Sequence, residues 1–166
     1  MKSIRNIAFS ALLTFGAFGA ITYTACNKDE CKDVVCQNGG TCSEGNCTCA
    51  TGYEGTNCET VSAKKFIGTG AWNVSEPSCG GNYTTTVSTG TKATSIIIAN
   101  LGNFTTPSMV VANADKNSLV INSYTDPAGR VFTGSGTFSG DSYSITYTVT
   151  YSDGDSETCT AVFSAD

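Results

Sequence analysis

Cysteine is the residue type that could do the most chemistry in this chain. Nine cysteines occur among 166 residues, and such a density is typical of exported proteins, because the cytosol keeps thiols reduced. Six of them are clustered with the spacing C-x4-C-x5-C-x4-C-x-C-x8-C, at Cys31, Cys36, Cys42, Cys47, Cys49 and Cys58. Six cysteines allow fifteen pairings, and the spacing alone does not choose among them. The odd total also requires a use for one cysteine other than pairing within the chain.

The other residue types offer little for catalysis. The chain has no histidine, so the usual base for a serine or cysteine nucleophile is absent. Asp153, Asp155 and Glu157 form the one acidic cluster of the C-terminal part. They could hold a cation or act as paired carboxylates, but Asp153-Gly154 is foremost a hairpin-turn signal. We therefore expect no enzyme, no metal and no cofactor.

The N-terminus predicts export. Lys2 and Arg5 precede an uncharged apolar run over residues 7–21, which is too short for a comfortable membrane span. The segment Tyr23-Thr24-Ala25-Cys26 resembles the lipobox of bacterial lipoproteins, in which a peptidase cuts before a lipid-modified cysteine. The resemblance implies a signal peptide over residues 1–25 and acyl chains on Cys26. The alternative is an ordinary signal peptide with Cys26 merely nearby.

A short charged stretch, Asn27-Lys28-Asp29-Glu30, would then tether the mature chain at residues 26–30. It is either a solvated linker or, as in similar Bacteroidetes lipoproteins, a signal for the outer face of the outer membrane. Loss of Lys2 and Arg5 leaves seven basic against fourteen acidic residues, a net charge of about −7. We therefore expect no nucleic-acid partner and membrane attachment through the acyl chains alone.

The cysteine-rich segment, residues 31–59, resembles the short EGF-like modules. The resemblance rests on the six spacings, on Asn38-Gly39-Gly40-Thr41-Cys42 and on the run from Cys49 to Cys58. It implies the pairs Cys31–Cys42, Cys36–Cys47 and Cys49–Cys58. Asp29 and Glu30 are similar to residues of calcium-binding members, but the four-residue loop between Cys42 and Cys47 leaves too few oxygen ligands. Calcium is therefore not expected.

A polar hinge over residues 60–65 leads into a predicted all-β domain over residues 66–166. From Tyr143 to Tyr151, apolar or aromatic residues alternate with Ser or Thr, the period of a half-buried strand. Similar alternation marks residues 66–74 and 132–138. Further candidate strands are Tyr83–Ser88, Thr94–Leu101, Ser108–Ala114, Ser118–Tyr124 and Glu157–Ser164, separated by turn-forming sequences. No helix is expected.

About eight strands joined by short turns predict an antiparallel meander that closes into a β-barrel, with a two-sheet sandwich as the alternative. The remaining cysteines, Cys79 and Cys159, lie near the first and last strands. In a closed meander these strands are neighbours, so a Cys79–Cys159 disulfide would fasten the seam. The cysteines then divide into one for lipid, six for the EGF-like module and two for the barrel.

Gly70-Ala71-Trp72 on the first strand, followed by an eight-strand meander, resembles the lipocalin-like barrels of Bacteroidetes lipoproteins. The rings expected inside could fill the core, or the glycines beside them could leave a cavity. The candidate ligand contacts are Trp72, Tyr143 and Tyr147. We expect a non-catalytic surface protein that binds a macromolecule or glycan. The alternative is a carrier for a small apolar ligand.

Overall fold

A computed structural model describes residues 30–165. These residues are all-β apart from one short helix, and they form a disulfide-rich module followed by a closed eight-stranded antiparallel barrel. The barrel was preferred over the sandwich from sequence, and that prediction is confirmed. No helix in residues 30–165 is long and apolar enough to cross a membrane.

The disulfide-rich module (residues 30–61) contains two small antiparallel strand pairs. The strands are β1 (Thr41–Ser43) with β2 (Asn46–Thr48), and β3 (Tyr53–Glu54) with β4 (Thr60–Val61). Three disulfides cross it: Cys31–Cys42, Cys36–Cys47 and Cys49–Cys58. These are the pairs that the sequence resemblance implied. So small a unit buries little apolar surface, so the bridges supply much of its stability.

The barrel strands follow one another as hairpins. They are β5 (Ala71–Glu76), β6 (Gly81–Thr89), β7 (Ser95–Ala99), β8 (Met109–Asp115), β9 (Ser118–Thr125), β10 (Val131–Ser139), β11 (Ser142–Thr150) and β12 (Ser156–Ala165). Sheet order follows chain order, and β12 pairs with β5 to close the cylinder. Strand β11 shows why sequence alternation predicted the fold: Tyr143, Ile145, Tyr147 and Val149 are buried, whereas the residues between them face outward.

The seam between the first and last barrel strands is short. Only Val162 to Ala165 of β12 pair with β5, which leaves the start of β12 beyond the end of β5. The Cys79–Cys159 disulfide links the β5–β6 turn to the part of β12 that pairs with β11 but not with β5. The bridge expected from the meander topology is therefore formed, and it fastens the seam where backbone pairing stops.

Two expectations about residues 60–70 were wrong. The first was that the chain contains no helix, since residues 63–67 form helix α1 (Ala63–Ile67). Ala63 and Phe66 are buried one turn apart and the two lysines between them face outward, a helical rather than a strand period. Gly68 ends the helix with φ +68°, and a side chain there would meet the ring of Trp72 at 2.9 Å.

The second error concerns the hinge over residues 60–65, which is part of the packed structure. Ser62 is fully buried; its N–H donates to the carbonyl of Gly52 and its hydroxyl accepts from the N–H of Lys116. The N–H of Gly52 in turn donates to Asp115 Oδ1 at 2.9 Å. These contacts fasten the disulfide-rich module to the barrel end that holds the β8–β9 turn, which we call the lower end.

Candidate functional site

The three residues predicted as ligand contacts lie inside the barrel. Trp72, Tyr143 and Tyr147 are at most 3% exposed. Tyr143 stacks on Phe163 with ring centroids 4.3 Å apart and meets Trp72 edge-on at 4.9 Å. Trp72 Nε1 donates to the carbonyl of Ile67, 3.0 Å away. The structure therefore places these three rings in the packed core of the barrel, and their role as ligand contacts stays a prediction.

Gly134 and Gly136, two of the glycines that could have left a cavity, are closely approached by side chains of the neighbouring strand. A Cβ on Gly134 would lie 2.6 Å from that of Tyr147, and one on Gly136 would lie 3.0 Å from Ile145 Cγ1. Phe66 of α1 packs edge-on against Tyr143 from the lower end. These contacts fill part of the barrel interior with side chains.

The opposite, upper end of the barrel holds a buried carboxylate. Glu76, the last residue of β5, is fully buried and accepts hydrogen bonds from the hydroxyls of Tyr147 and Tyr83. Burial raises the pKa of Glu76 above its usual 4.5, and the hydrogen bonds from both tyrosines only partly offset this effect. Burial also raises the pKa of both tyrosines, so they remain donors.

This carboxylate adjoins the seam disulfide. A carboxylate oxygen of Glu76 and the sulfur atoms of Cys79 and Cys159 all lie within 4.8 Å of one another. Because both sulfurs are in the disulfide, they are not available as metal ligands in this state. Glu76 was missed from the sequence because charged residues are rarely buried. The alternation of β5 does place it on the inward side with Trp72 and Val74.

A second buried ionic group closes the upper end. Arg130 is 8% exposed and pairs with Asp126, whose carboxylate side chain is fully buried. The guanidinium also donates to the carbonyl of Thr106 and lies 3.9 Å from the ring centroid of Phe104. The pair therefore holds the β7–β8 loop over the barrel, a structural role that the turn sequence Asp126-Pro127-Ala128-Gly129 did not reveal.

The predicted acidic cluster belongs to the hairpin turn between β11 and β12. Asp153, Asp155 and Glu157 are exposed in and after the β11–β12 connection. Asp153 Oδ1 accepts from the N–H of Asp155, and Glu157 accepts from the hydroxyl of Tyr151 at 3.2 Å. Within residues 30–165 these three carboxylates are not gathered into a group that could hold a metal ion.

The outer wall of the barrel carries the most regular polar surface. The outward residues of β10, β11 and β12 align in three cross-strand rows, which we call the hydroxyl face: Thr133–Thr148–Thr158, Ser135–Thr146–Thr160 and Thr137–Ser144–Val162. Eight of these nine side chains carry a hydroxyl and none is charged. Thr146 and Thr160 are hydrogen-bonded through their hydroxyls at 3.1 Å, as are Thr148 and Thr158.

The hydroxyl face continues across the seam into a groove. Ser164, Asn73 and Thr84 are neighbours on successive strands, as are Ser75 and Asn82. Together with Val74 and Tyr83 they line an open groove of about 380 Å³. The groove lies beside the seam, so its shape depends on the β12–β5 pairing. The sequence did contain a signal for the hydroxyl face, because Ser or Thr occupies every even position from Ser142 to Thr150 on β11.

Cys26 and the predicted signal peptide lie outside the described residues. Comparison with known proteins adds no family: no protein-family model matches the chain, and no solved structure gives a significant match.

Proposed function

We propose that this chain is a non-catalytic, lipid-anchored protein of the bacterial outer surface that binds neutral glycans through the hydroxyl face and the groove beside it. The observation that carries the proposal is the continuous uncharged array of hydroxyl and amide groups across five adjacent strands, β10, β11, β12, β5 and β6. Hydroxyls both donate and accept hydrogen bonds, so they match a partner that is itself covered with hydroxyls.

The composition of the face favours a glycan over a protein. Protein interfaces are enriched at their centre in exposed aromatic residues, Met and Arg, whereas the nine positions of the hydroxyl face hold only Ser, Thr and one exposed Val162. A charged polysaccharide would need opposite charges to pair with. The face has none, and the chain as a whole is acidic, with a net charge of −5. A neutral polyhydroxylated chain is the partner that fits.

The proposed lipid anchor is supported by the lipobox-like sequence at Cys26 and by the order in which anchor, disulfide-rich module and barrel follow one another. The pairing of the six module cysteines supports an EGF-like module, and the closed meander with Gly70-Ala71-Trp72 at its start supports a lipocalin-like barrel. A lipid on Cys26 would hold the chain by the end next to the disulfide-rich module. Because that module docks on the lower end, the side wall with the hydroxyl face would stay accessible.

A glycan array probed with the purified chain from residue 27 onward tests the binding proposal. We expect retention of neutral polysaccharides, and we expect it to persist at high salt because no ion pairs are involved. The variant T146V/T160V keeps side-chain shape but removes one hydrogen-bonded hydroxyl pair from the centre of the face, and it should reduce retention.

The matched control is T41V/T48V in the disulfide-rich module. Thr41 and Thr48 are also an exposed cross-strand pair, but they lie away from the barrel wall. This control should bind like the wild type. Retention that T146V/T160V leaves unchanged, or no retention of any neutral glycan, would overturn the proposal.

The anchor is tested separately in the source bacterium. Mass spectrometry of the mature N-terminal peptide should find acyl chains on Cys26, and protease added to intact cells should digest the protein. An unmodified Cys26 would contradict the anchor, and full protection from protease would contradict surface exposure.

A further inference from the structure

The two cysteines of the seam disulfide differ in exposure. Cys159 lies on β12 and is 1% exposed, whereas Cys79 lies in the β5–β6 turn and is partly exposed. Thiol–disulfide exchange begins with attack of a thiolate on one sulfur and expels the other. An external thiol can therefore approach Cys79, and the sulfur expelled would be that of Cys159 inside the barrel.

A proton source stands beside the sulfur that would be expelled. The carboxylate of Glu76 lies within 4.8 Å of both sulfurs. It is held in place by the hydroxyl of Tyr147 on β11 and by that of Tyr83 on β6. Burial raises the pKa of Glu76, and the like charge of Glu157 on β12 adds a smaller effect in the same direction, which together outweigh the lowering by its hydrogen bonds. A thiolate expelled into this site would otherwise be a buried unpaired charge, which is costly.

We propose that the Cys79–Cys159 disulfide is a thiol-exchange site and that Glu76 is its proton donor. An external thiolate attacks Sγ of Cys79, the bond between the two sulfurs breaks, and Cys159 leaves as a thiolate that takes the proton of the Glu76 carboxyl group. The products are a mixed disulfide on Cys79, a neutral Cys159 thiol and an ionised Glu76. In the reverse reaction Glu76 accepts the proton back. The co-reactant is a small or protein thiol.

The chain contains an internal control for this proposal. In the Cys49–Cys58 disulfide Cys49 is likewise partly exposed and Cys58 is fully buried. Within residues 30–165, however, Glu76 is the only carboxylate that lies within 4.8 Å of both sulfurs of a disulfide. Each of the two bridges thus joins a partly exposed cysteine to a buried one, but among the described residues only the Cys79–Cys159 bridge has a carboxylate beside both of its sulfurs.

The experiment uses the oxidised chain from residue 27 onward with glutathione as the probe thiol. Timed samples are quenched by alkylation, and peptide mass spectrometry follows each bridge. We expect Cys79–Cys159 to open faster than Cys49–Cys58, with glutathione on Cys79. The variant E76Q, which cannot give up a proton, should slow opening of the seam bridge by at least about tenfold and leave the Cys49–Cys58 rate unchanged.

The pH profile separates proton donation from a structural effect. Opening of the seam bridge, corrected for the thiolate fraction of glutathione, should slow as Glu76 ionises, and the E76Q rate should lack this dependence. If E76Q does not fold, as judged by near-ultraviolet circular dichroism, Y147F replaces it: loss of the Tyr147 hydrogen bond should move the profile to higher pH. An unchanged profile in the folded variant, glutathione on Cys159, or equal rates for the two bridges would overturn the proposal.

Discussion

The hydroxyl of Tyr147 donates a hydrogen bond to the carboxylate of Glu76, 71 residues earlier in the chain. It joins β11 to the end of β5 across the closed barrel and gives a buried acidic group one of its few partners. On the same strand, Tyr143 is buried to the same extent, but its hydroxyl has no hydrogen-bond partner among the described residues. The two tyrosines therefore form a matched pair for mutation.

We expect Tyr147→Phe to lower the free energy of unfolding by about 1–3 kcal/mol, because it leaves the Glu76 carboxylate short of a donor. Tyr143→Phe removes only an unsatisfied hydroxyl and should be neutral or slightly stabilising. Chemical denaturation of both variants measures the difference. Equal losses of stability would show that the hydrogen bond to Glu76 contributes nothing specific.

The raised pKa of Glu76 gives stability a defined pH dependence. In the folded protein this carboxyl keeps its proton to higher pH than the usual 4.5 of the unfolded chain, so the folded state binds the proton more tightly. The contribution of Glu76 to stability is therefore complete below that pH and is lost as pH rises through the folded pKa.

Glu76→Gln should remove this dependence. The difference between the unfolding midpoint of the wild type and that of E76Q, measured from acid to neutral pH, should fall as pH rises. A difference that stays constant, or that grows with pH, would contradict the raised pKa.

Removing the seam disulfide with C79A/C159A should cost about 4 kcal/mol, since the bridge closes a loop with a sequence separation of 80 and restricts the unfolded chain accordingly. Thermal unfolding measures the loss. Hydrogen exchange should show the largest increase at the start of β12, where pairing with β5 is lacking. An increase spread evenly over the barrel would argue against a local role at the seam.

The Asp126–Arg130 pair should be more sensitive to loss of one partner than an exposed pair. Arg130→Met leaves the fully buried Asp126 side chain without its cation and should lower the free energy of unfolding by about 3–5 kcal/mol. The control is Lys65→Met, which breaks the more exposed pair with Glu54 and should cost about 1 kcal/mol or less. Urea titrations of both variants give the comparison, and similar losses would contradict it.

Docking of the disulfide-rich module depends on the small size of Gly52. This residue has φ +85°, and a Cβ there would collide with the methyl group of Thr94 on the barrel. Gly52→Ala should therefore loosen the module from the lower end. Gly39→Ala is the control, since Gly39 has φ +76° with open space around it and should show only backbone strain.

Nitrogen-15 relaxation tests this contact. The module and barrel of the wild type and of G39A should tumble as one body, whereas G52A should give the module a shorter correlation time. Common tumbling in G52A would show that the collision is absorbed without undocking.

The elements that depend on local pattern could be predicted from the order of residues. Alternation along β11 fixed which side chains face inward, because successive residues of a strand point to opposite sides. The resemblance to EGF-like modules implied three of the four described disulfides, and the meander order predicted the fourth. The same alternation placed Ser and Thr on the outside, although it did not show that three strands would align them into rows.

Features that depend on contacts between distant segments could not be predicted in this way. Residues 63–67 become a helix because Ala63 and Phe66 are buried against the barrel, and Ser62 is fixed by partners at Gly52 and Lys116. Trp72 and Tyr143 belong to the core because closure of the barrel brings their rings together and buries them. Glu76 reads as an ordinary exposed charge in the sequence, and only barrel closure places it between two tyrosines and a disulfide.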